Sequence, residues 1–170
     1  MNLFEDLIKI KYKNNLELVG LNDELFSLWI KKLSEEENIL IVTPTLYEAN
    51  KLQNTISTYI NNTSIFPMDD FLTSESIAIS PDLKISRLET INKIINKKTN
   101  IVITHLNGLL RYLPKKEAYR NACFKLEKGM EISRDKLLEK LLINGYIRDS
   151  IVSKTGEIAV RGFIIDIYNI

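Results

Sequence analysis

Two short runs of continuous apolar residues constrain the fold of this chain most strongly. Ile39-Leu-Ile-Val-Thr43 and Asn100-Ile-Val-Ile-Thr104 lack the alternation of apolar and polar residues that marks a half-exposed strand. Such runs are typical of strands that are buried on both faces of a parallel sheet. Segments with apolar residues at helical spacing lie between them. Strands that alternate with helices in this way predict a parallel α/β sheet with right-handed crossover connections.

Helix-capping residues mark where the helices of this predicted sheet begin. Asparagine, serine and threonine side chains accept hydrogen bonds from the free N–H groups of a first helical turn, and proline fits that turn because it has no N–H. Three helix starts are predicted on this basis, at Asn22-Asp23, at the capping box Thr45–Glu48 and at Ser80-Pro81-Asp82. Two further strands are predicted at Leu16–Val19 and Ser64–Phe66.

The pattern of elements changes at Pro114-Lys-Lys-Glu117, where we predict a domain boundary. Residues 1–113 are expected to form the α/β domain, and residues 114–170 a small α+β domain. In the second domain Ala122–Leu126 predicts a strand, and Asn144-Gly145 predicts the glycine-capped end of a helix. The chain stops directly after an apolar strand, so we expect this small domain to be C-terminally incomplete.

Composition excludes several classes of function. The apolar runs within the 170 residues are too short for a membrane span, and the N-terminus lacks the layout of a signal peptide. Cys123 is the one cysteine and His105 the one histidine, which excludes an internal disulfide and a structural zinc site and fits a reducing cytoplasm. A formal net charge of +1 provides none of the basic excess that is usual for phosphate-mediated DNA binding.

Candidates for nucleotide or metal chemistry are weak. A phosphate loop needs several glycines and a Lys-Ser/Thr pair, whereas Gly20–Ser27, which follows the predicted strand Leu16–Val19, has one glycine and no lysine. ATP hydrolysis by this segment is therefore not expected. Asp69, Asp70 and Glu75 could form a carboxylate site for magnesium, but a solvated acidic turn is the favoured interpretation.

The histidine and the cysteine are assigned structural roles. His105 follows a predicted strand, at a place where α/β enzymes hold catalytic groups. No nucleophile with a third partner can be nominated beside it, so we predict a surface or capping histidine. Cys123 lies on a predicted strand and is expected to be a small buried hydrophobic residue.

Two arginines stand at fixed places on the strands predicted between Gly145 and Tyr168. Arg148 and Arg161 flank a predicted turn at Lys154-Thr155-Gly156. If a two-residue turn joins the strands as a β-hairpin, both arginines lie on one face of the sheet. Like charges on one face repel each other, so this register indicates a surface for an acidic partner or an anion.

A local interpretation of these arginines stays open. Arg161 could pair with Glu157 or Asp166, and Arg148 with Asp149 or with solvent. A three-residue loop would also place the two arginines on opposite faces of the sheet.

A group of sequence blocks between Phe66 and Tyr168 carries a family resemblance. The blocks are Phe66-Pro-Met-Asp-Asp-Phe71, Ser80-Pro-Asp-Leu83, Arg87-Leu-Glu89, Gly108-Leu-Leu-Arg-Tyr-Leu-Pro114, Gly145-Tyr-Ile-Arg148, Thr155-Gly-Glu157 and Val160-Arg-Gly-Phe-Ile-Ile-Asp-Ile-Tyr168. As a group they resemble the N-terminal region of bacterial transcription-repair coupling factors (Mfd), a region similar to the excision-repair helicase UvrB. The intact phosphate loop and long aromatic-rich hairpin expected of UvrB itself are not found.

The resemblance implies a division of roles between the two predicted domains. Residues 1–113 would form a helicase-like α/β domain with a degenerate phosphate loop, and residues 114–170 would dock the damage-recognition ATPase UvrA. The residues assigned to the UvrA contact are Arg148, Arg161, Phe163, Glu157 and Ile158.

The resemblance further implies a cytoplasmic bacterial module without a cofactor or a catalytic site. In that family the ATP-driven motor and the contacts with RNA polymerase and DNA lie in other regions of the protein. The alternative function is a DNA-contacting or autoinhibitory remnant of a helicase domain. Its basic face would be formed by Lys93, Lys97, Lys98, Lys115 and Lys116. Self-association through an unpaired sheet edge is also open, and an enzyme built on the acidic cluster and the histidine ranks last.

Overall fold

The chain divides into two compact units between Tyr112 and Leu113. The computed structural model describes residues 15–69 and 80–169. Each unit contains a three-stranded sheet and an apolar core of its own. No helix in the described parts of the chain is long and apolar enough to cross a membrane.

The first unit alternates helices and strands around a parallel sheet. Its elements in chain order are α1 (Asp23–Leu33), β1 (Ile39–Thr43), α2 (Leu46–Ser57), β2 (Thr63–Phe66), α3 (Pro81–Ile95), β3 (Ile101–His105) and α4 (Leu106–Leu109). β3 lies between β1 and β2 and pairs with both in parallel. The predicted parallel α/β architecture of this part is confirmed.

The core of the first unit lies on the face of the sheet that α1 and α2 cover. Ile101 and Ile103 of the central strand are fully buried there. The other buried members of this core are Ile30, Ile41, Ala49 and Ile56. Burial of these side chains supplies the hydrophobic stabilisation of the unit.

Burial on both faces, predicted for both apolar runs, holds for β3 but not for β1. In β1 the side chain of Ile41 is buried, whereas Leu40 is 56% exposed and Val42 is also exposed. β1 is an edge strand of the described sheet, so it has a neighbour on one side only. The continuous apolar pattern alone does not distinguish an edge strand from a central one.

Two of the three predicted caps form side-chain hydrogen bonds at the helix starts, whereas α3 begins at Pro81 without a hydrogen bond from the Ser80 side chain. The Leu25 amide donates to Asn22 Oδ1 at 2.9 Å. The Thr45 and Glu48 side chains each accept from the other's backbone N–H, which completes the capping box. The strand predicted at Leu16–Val19 is wrong, because this segment has no regular structure.

The second unit is a helix packed on a small mixed sheet. Its elements are α5 (Lys116–Ala122), α6 (Arg134–Ile143), β4 (Ile147–Arg148), β5 (Glu157–Arg161) and β6 (Ile164–Ile167). β5 is central, parallel to β4 and antiparallel to β6. Its core is formed by Leu137 and Leu141 of α6 against Ile158 of β5.

In this unit the prediction of a strand after α5 is wrong, and the prediction of a glycine cap at the end of α6 is correct. The strand predicted at Ala122–Leu126 is absent, since Ala122 ends α5 and the next four residues have no regular structure. Gly145 ends α6 with φ of +88°. The Tyr146 amide donates to the Leu141 carbonyl and the Gly145 amide to the Leu142 carbonyl, both at 3.0 Å. These bonds form a Schellman cap, as the glycine predicts.

Candidate functional site

The two arginines of the predicted docking surface lie on opposite faces of the second sheet. β4 and β5 run parallel, so the segment with Lys154-Thr155-Gly156 is a crossover between parallel strands and not a hairpin turn. Arg148 is in register with Ile158, and Arg161 lies three positions further along β5. Since side chains alternate along a strand, Arg161 projects from the other face. The hairpin register that would place both arginines on one face is therefore not formed, and the two arginines lie on opposite faces, the arrangement that the sequence left open.

The hairpin of this unit is formed by β5 and β6 instead. Arg161 is paired with Ile164, which leaves Gly162 and Phe163 as the two turn residues. Gly162 has φ of +61°, a conformation that glycine adopts readily. The Phe163 side chain is 99% exposed at this tip.

Arg161 has a local partner in its own sheet. Its Nη2 atom donates to Asp166 Oδ2 at 2.5 Å, and the Arg161 side chain remains 69% exposed. The local interpretation is thus correct for Asp166. A guanidinium has five N–H donors, so most of its hydrogen-bonding capacity is still available to a partner.

Arg148 is exposed and forms no ion pair with a carboxylate of the described chain. Its neighbour Asp149 instead accepts a hydrogen bond from the Ser150 amide at 2.6 Å. Arg148 therefore presents a cation to solvent at the edge of the sheet that β4 forms.

Glu157 forms hydrogen bonds that hold the crossover segment against β5. Its Oε2 atom accepts from the backbone N–H groups of Ser153 and Lys154, both at 2.8 Å, and from the Ser153 hydroxyl at 3.1 Å. Hydrogen bonds from the Ser153 and Lys154 amides lower the pKa of the Glu157 carboxyl below its usual value. The carboxylate of this predicted contact residue is thus already engaged within the chain.

Ile158 and Phe163, the two apolar candidates, have opposite environments. Ile158 is 0% exposed and belongs to the core with Leu137 and Leu141. Its side chain has no surface to offer to a partner, so its assignment to the contact is corrected. Phe163 is the apolar residue of the group that a partner can reach.

An open groove of about 640 Å³ lies beside the ion pair of Arg161 and Asp166. Ile151, Val152 and Tyr168 contribute to its walls. The groove is open to solvent and combines a cation, a carboxylate and apolar side chains.

The predicted carboxylate cluster is only partly within the described residues. Asp70 and Glu75 lie outside them. Asp69 faces Arg87, with Nη1 and Oδ2 3.9 Å apart, and Arg87 also donates to the Pro67 carbonyl at 3.2 Å. Burial lowers the pKa of Arg87 from its usual value. Within residues 15–69 and 80–169 no group of acidic, histidine and cysteine side chains is arranged to hold a metal ion.

His105 and Cys123 differ from their predicted settings. His105 is 1% exposed, and its Nε2 atom lies 3.1 Å from both the amide nitrogen and the carbonyl oxygen of Met68. Of the two predicted roles, the surface position is wrong, whereas His105 does occupy the N-cap position of α4, without a capping hydrogen bond from its side chain. The ring instead joins the end of β3 to the segment after β2. Cys123 is exposed, so the prediction of a buried cysteine is wrong too. Burial and the neighbouring Cys123 raise the pKa of Tyr119 to about 12.

The segment predicted to replace a phosphate loop leads directly into α1. Gly20 has φ of +83°, and Asn22 caps the helix two residues later. The Ser27 hydroxyl donates to the Asp23 carbonyl at 2.6 Å, inside the helix. No strand precedes this segment in the described residues, so the setting of a phosphate loop after a buried strand is not present.

Sequence reasoning missed two features of the site. The first is the turn at Gly162 and Phe163, although a glycine followed by one residue between two apolar strands is a hairpin signal. The second is Arg134, whose Nη1 atom donates to the Gly162 carbonyl at 3.0 Å. Because Arg134 and Gly162 are 28 residues apart, no local sequence pattern predicts this contact.

Comparison with known proteins gives a consistent result over the whole chain. Residues 124–170 match the family model described as the UvrB interaction domain. The chain is 34% identical over 97% of its length to the transcription-repair-coupling factor of Staphylococcus haemolyticus, and 32% identical over 98% to that of Staphylococcus epidermidis. It is 32% identical over 89% of its length to the transcription-repair-coupling factor of Bacillus subtilis. The chain spans between 13% and 15% of the length of these relatives.

Most of the small mixed-sheet unit, including its exposed hairpin, thus matches the UvrB interaction domain over residues 124–170. Similarity at this level over almost the whole chain extends the relationship to the first unit. Over most of its length the chain is therefore similar to a segment of transcription-repair-coupling factors.

Proposed function

We propose that this chain is a non-catalytic module that docks UvrA and so links a stalled RNA polymerase to nucleotide-excision repair. The observation that carries the proposal is the match of residues 124–170 to the UvrB interaction domain. The same residues present an exposed cation at Arg148, a second at Arg161 and an exposed aromatic ring at Phe163.

The chemistry of these side chains suits a partner with acidic and apolar contact groups. Guanidinium groups bind carboxylates through paired N–H donors, and they hold well at partly desolvated interfaces. Aromatic side chains and arginine are also the residues that most often dominate interface energies. Because Arg148 and Arg161 lie on opposite faces, we infer that UvrA contacts the sheet around its edge and its hairpin tip.

We assign residues 1–113 as a helicase-like domain of the UvrB type whose nucleotide site has been lost, and residues 114–170 as the docking domain. The glycine-poor segment Gly20–Ser27 supports this assignment, since it offers no lysine to a phosphate group. The ATP-driven motor and the contacts with RNA polymerase and DNA then belong to other regions of the parent protein, which acts in the bacterial cytoplasm.

Calorimetric titration of UvrA against this chain tests the proposal. The comparison is between the wild-type chain, the double variant Arg148→Ala/Arg161→Ala and the control Arg120→Ala, which removes an exposed arginine of α5. We expect the double variant to lose about 2–5 kcal/mol of binding free energy if the charge pairs are desolvated, with an unchanged circular dichroism spectrum. Equal affinities of the double variant and the control would contradict the assignment of these arginines. A folded wild-type chain that does not bind UvrA would contradict the docking function itself.

A further inference from the structure

The tip of the β5–β6 hairpin is a turn of defined geometry. Gly162 has φ of +61°, and Phe163 is not among the non-glycine residues of the described chain that have a positive φ. A positive φ at the first of two central residues only is the signature of a type II′ turn, which matches the twist of the flanking strands. Phe163 is therefore the second central residue of this turn.

Phe163 makes no contribution to the core of the unit. Its side chain is 99% exposed, whereas the core beneath the hairpin is formed by Leu137, Leu141 and Ile158. An aromatic ring in water at a hairpin tip forgoes the roughly 1.5–3 kcal/mol that burial of such a side chain provides. A partner that buries the ring would recover this free energy.

Arg134 holds this turn from a distant part of the chain. It is the first residue of α6, and its Nη1 atom donates to the Gly162 carbonyl at 3.0 Å. A cation at the N-terminus of a helix opposes the helix dipole and so does not stabilise the helix. Its Nε atom lies 3.6 Å from the adjacent Asp135 carboxylate, which offsets the charge. The position of Arg134 therefore favours its hydrogen bond to the Gly162 carbonyl rather than the stability of α6.

We infer that Arg134 is a positioning residue of the docking surface, which fixes the turn so that Phe163 enters an apolar pocket of the partner as an ordered anchor. This inference rests on the proposed docking function. Ordering the turn before binding reduces the conformational entropy that binding must remove. The pocket that accepts Phe163 carries carboxylates near its rim, because Arg161 ends the strand that leads into the same turn.

A double-mutant cycle with UvrA tests the inference. The affinities of the wild-type chain, Arg134→Ala, Phe163→Ala and the double variant are measured by calorimetry. We expect Phe163→Ala to weaken binding about ten-fold or more and Arg134→Ala about two- to ten-fold. In the Phe163→Ala background, Arg134→Ala should have no further effect, because the side chain that it positions is gone.

Three controls separate positioning from a general structural role. Lys136→Ala removes an exposed cation of the same helix and should leave the affinity unchanged. Arg134→Lys retains a donor for the Gly162 carbonyl and should restore part of the loss, which keeps the test informative if Arg134→Ala is poorly folded. In an Arg148→Ala background the effect of Arg134→Ala should persist, since Arg148 lies on a different strand.

Each outcome of this cycle decides a separate question. A wild-type chain that binds UvrA together with an unaffected Phe163→Ala variant overturns the inference and leaves the docking function standing. An Arg134→Ala effect of equal size with and without Phe163 also overturns it, because the residue then acts independently of the ring. A folded wild-type chain that fails to bind UvrA overturns the docking function and this inference together.

Discussion

Arg161 and Asp166 form an ion pair on one face of the β5–β6 hairpin, with Nη2 and Oδ2 2.5 Å apart. Arg161 is in register with Ile164 and Asp166 with Ala159, so the two charged side chains are diagonal neighbours. Both remain in contact with solvent, at 69% and 39% exposure. Exposed pairs of this kind contribute little to stability, which leaves the arginine available for a partner.

Removal of Asp166 is therefore expected to have a small effect on stability. Asp166→Ala should lower the free energy of unfolding of the second unit by less than about 1 kcal/mol. This change is measured by urea denaturation with hydrogen exchange of the β5 and β6 amides as the readout. Asp149→Ala is the matched control. A loss of more than about 2 kcal/mol would show that the pair is needed for the fold, and it would contradict the availability of Arg161.

Gly108 packs too closely against β3 to accept a side chain. A Cβ atom at this position would lie 2.1 Å from Thr104 Oγ1 and 3.1 Å from the Phe66 carbonyl oxygen. Thr104 Oγ1 already donates to that carbonyl at 2.7 Å, so it cannot move without losing a buried bond. We expect Gly108→Ala to destabilise the first unit by about 2 kcal/mol or more. Urea denaturation monitored by the fluorescence of Trp29 reports on this unit.

The same contact predicts non-additivity between two substitutions. Thr104→Ala removes the atom nearest to the new Cβ. Gly108→Ala should therefore lower the free energy of unfolding less in the Thr104→Ala background than in the wild-type chain. Equal costs in both backgrounds would show that the crowding at Thr104 does not limit this site.

Glu157 should make the crossover segment sensitive to acid. The amides of Ser153 and Lys154 lower its pKa in the folded chain. A lowered pKa means that the carboxylate contributes stability above the unfolded value, about pH 4.3, and that this contribution is lost as the pH falls through the folded value. As the pH falls below the unfolded value, hydrogen exchange of the Ser153 and Lys154 amides should therefore become faster than the intrinsic pH trend predicts.

Glu157→Gln provides the control for this pH dependence. The glutamine side chain keeps an acceptor oxygen but does not titrate, so exchange of the two amides should follow the intrinsic pH trend alone. An acid-induced acceleration of equal size in the wild-type chain and in Glu157→Gln would mean that another group controls the segment.

Cys123 should react with thiol reagents in the folded chain. Its side chain is exposed directly after α5, so no unfolding is required for access. Labelling with a maleimide under native conditions should proceed at a rate close to that in urea after correction for temperature and pH. A thiol that is protected until the chain unfolds would contradict the exposed position.

The parallel sheet could be predicted because its signals are local. The caps at Asn22 and Thr45 and the apolar residues of β1 and β3 specify their elements without distant contacts. The exposed face of β1 could not be predicted in this way. Whether Leu40 is buried depends on which strand or helix lies beside it, and this is decided by topology rather than by neighbours in sequence.

The site was harder to predict because its register depends on tertiary contacts. Two glycines, Gly156 and Gly162, follow possible strand ends, and either could mark the hairpin turn. The parallel pairing of Arg148 with Ile158 selects the second. Burial of Ile158 against α6 fixes which face of β5 is apolar, and a shift of one residue exchanges the faces. The contact of Arg134 with Gly162 has no sequence signal at all.

Hydrogen–deuterium exchange of the chain with and without UvrA, read by mass spectrometry, tests the docking function most directly. We expect slower exchange in the presence of UvrA at Ile147–Arg148 and at the hairpin tip from Arg161 to Ile164, and unchanged exchange in α1 and α2. Binding of UvrA with protection confined to the first unit, or with no change across residues 145–168, would contradict it.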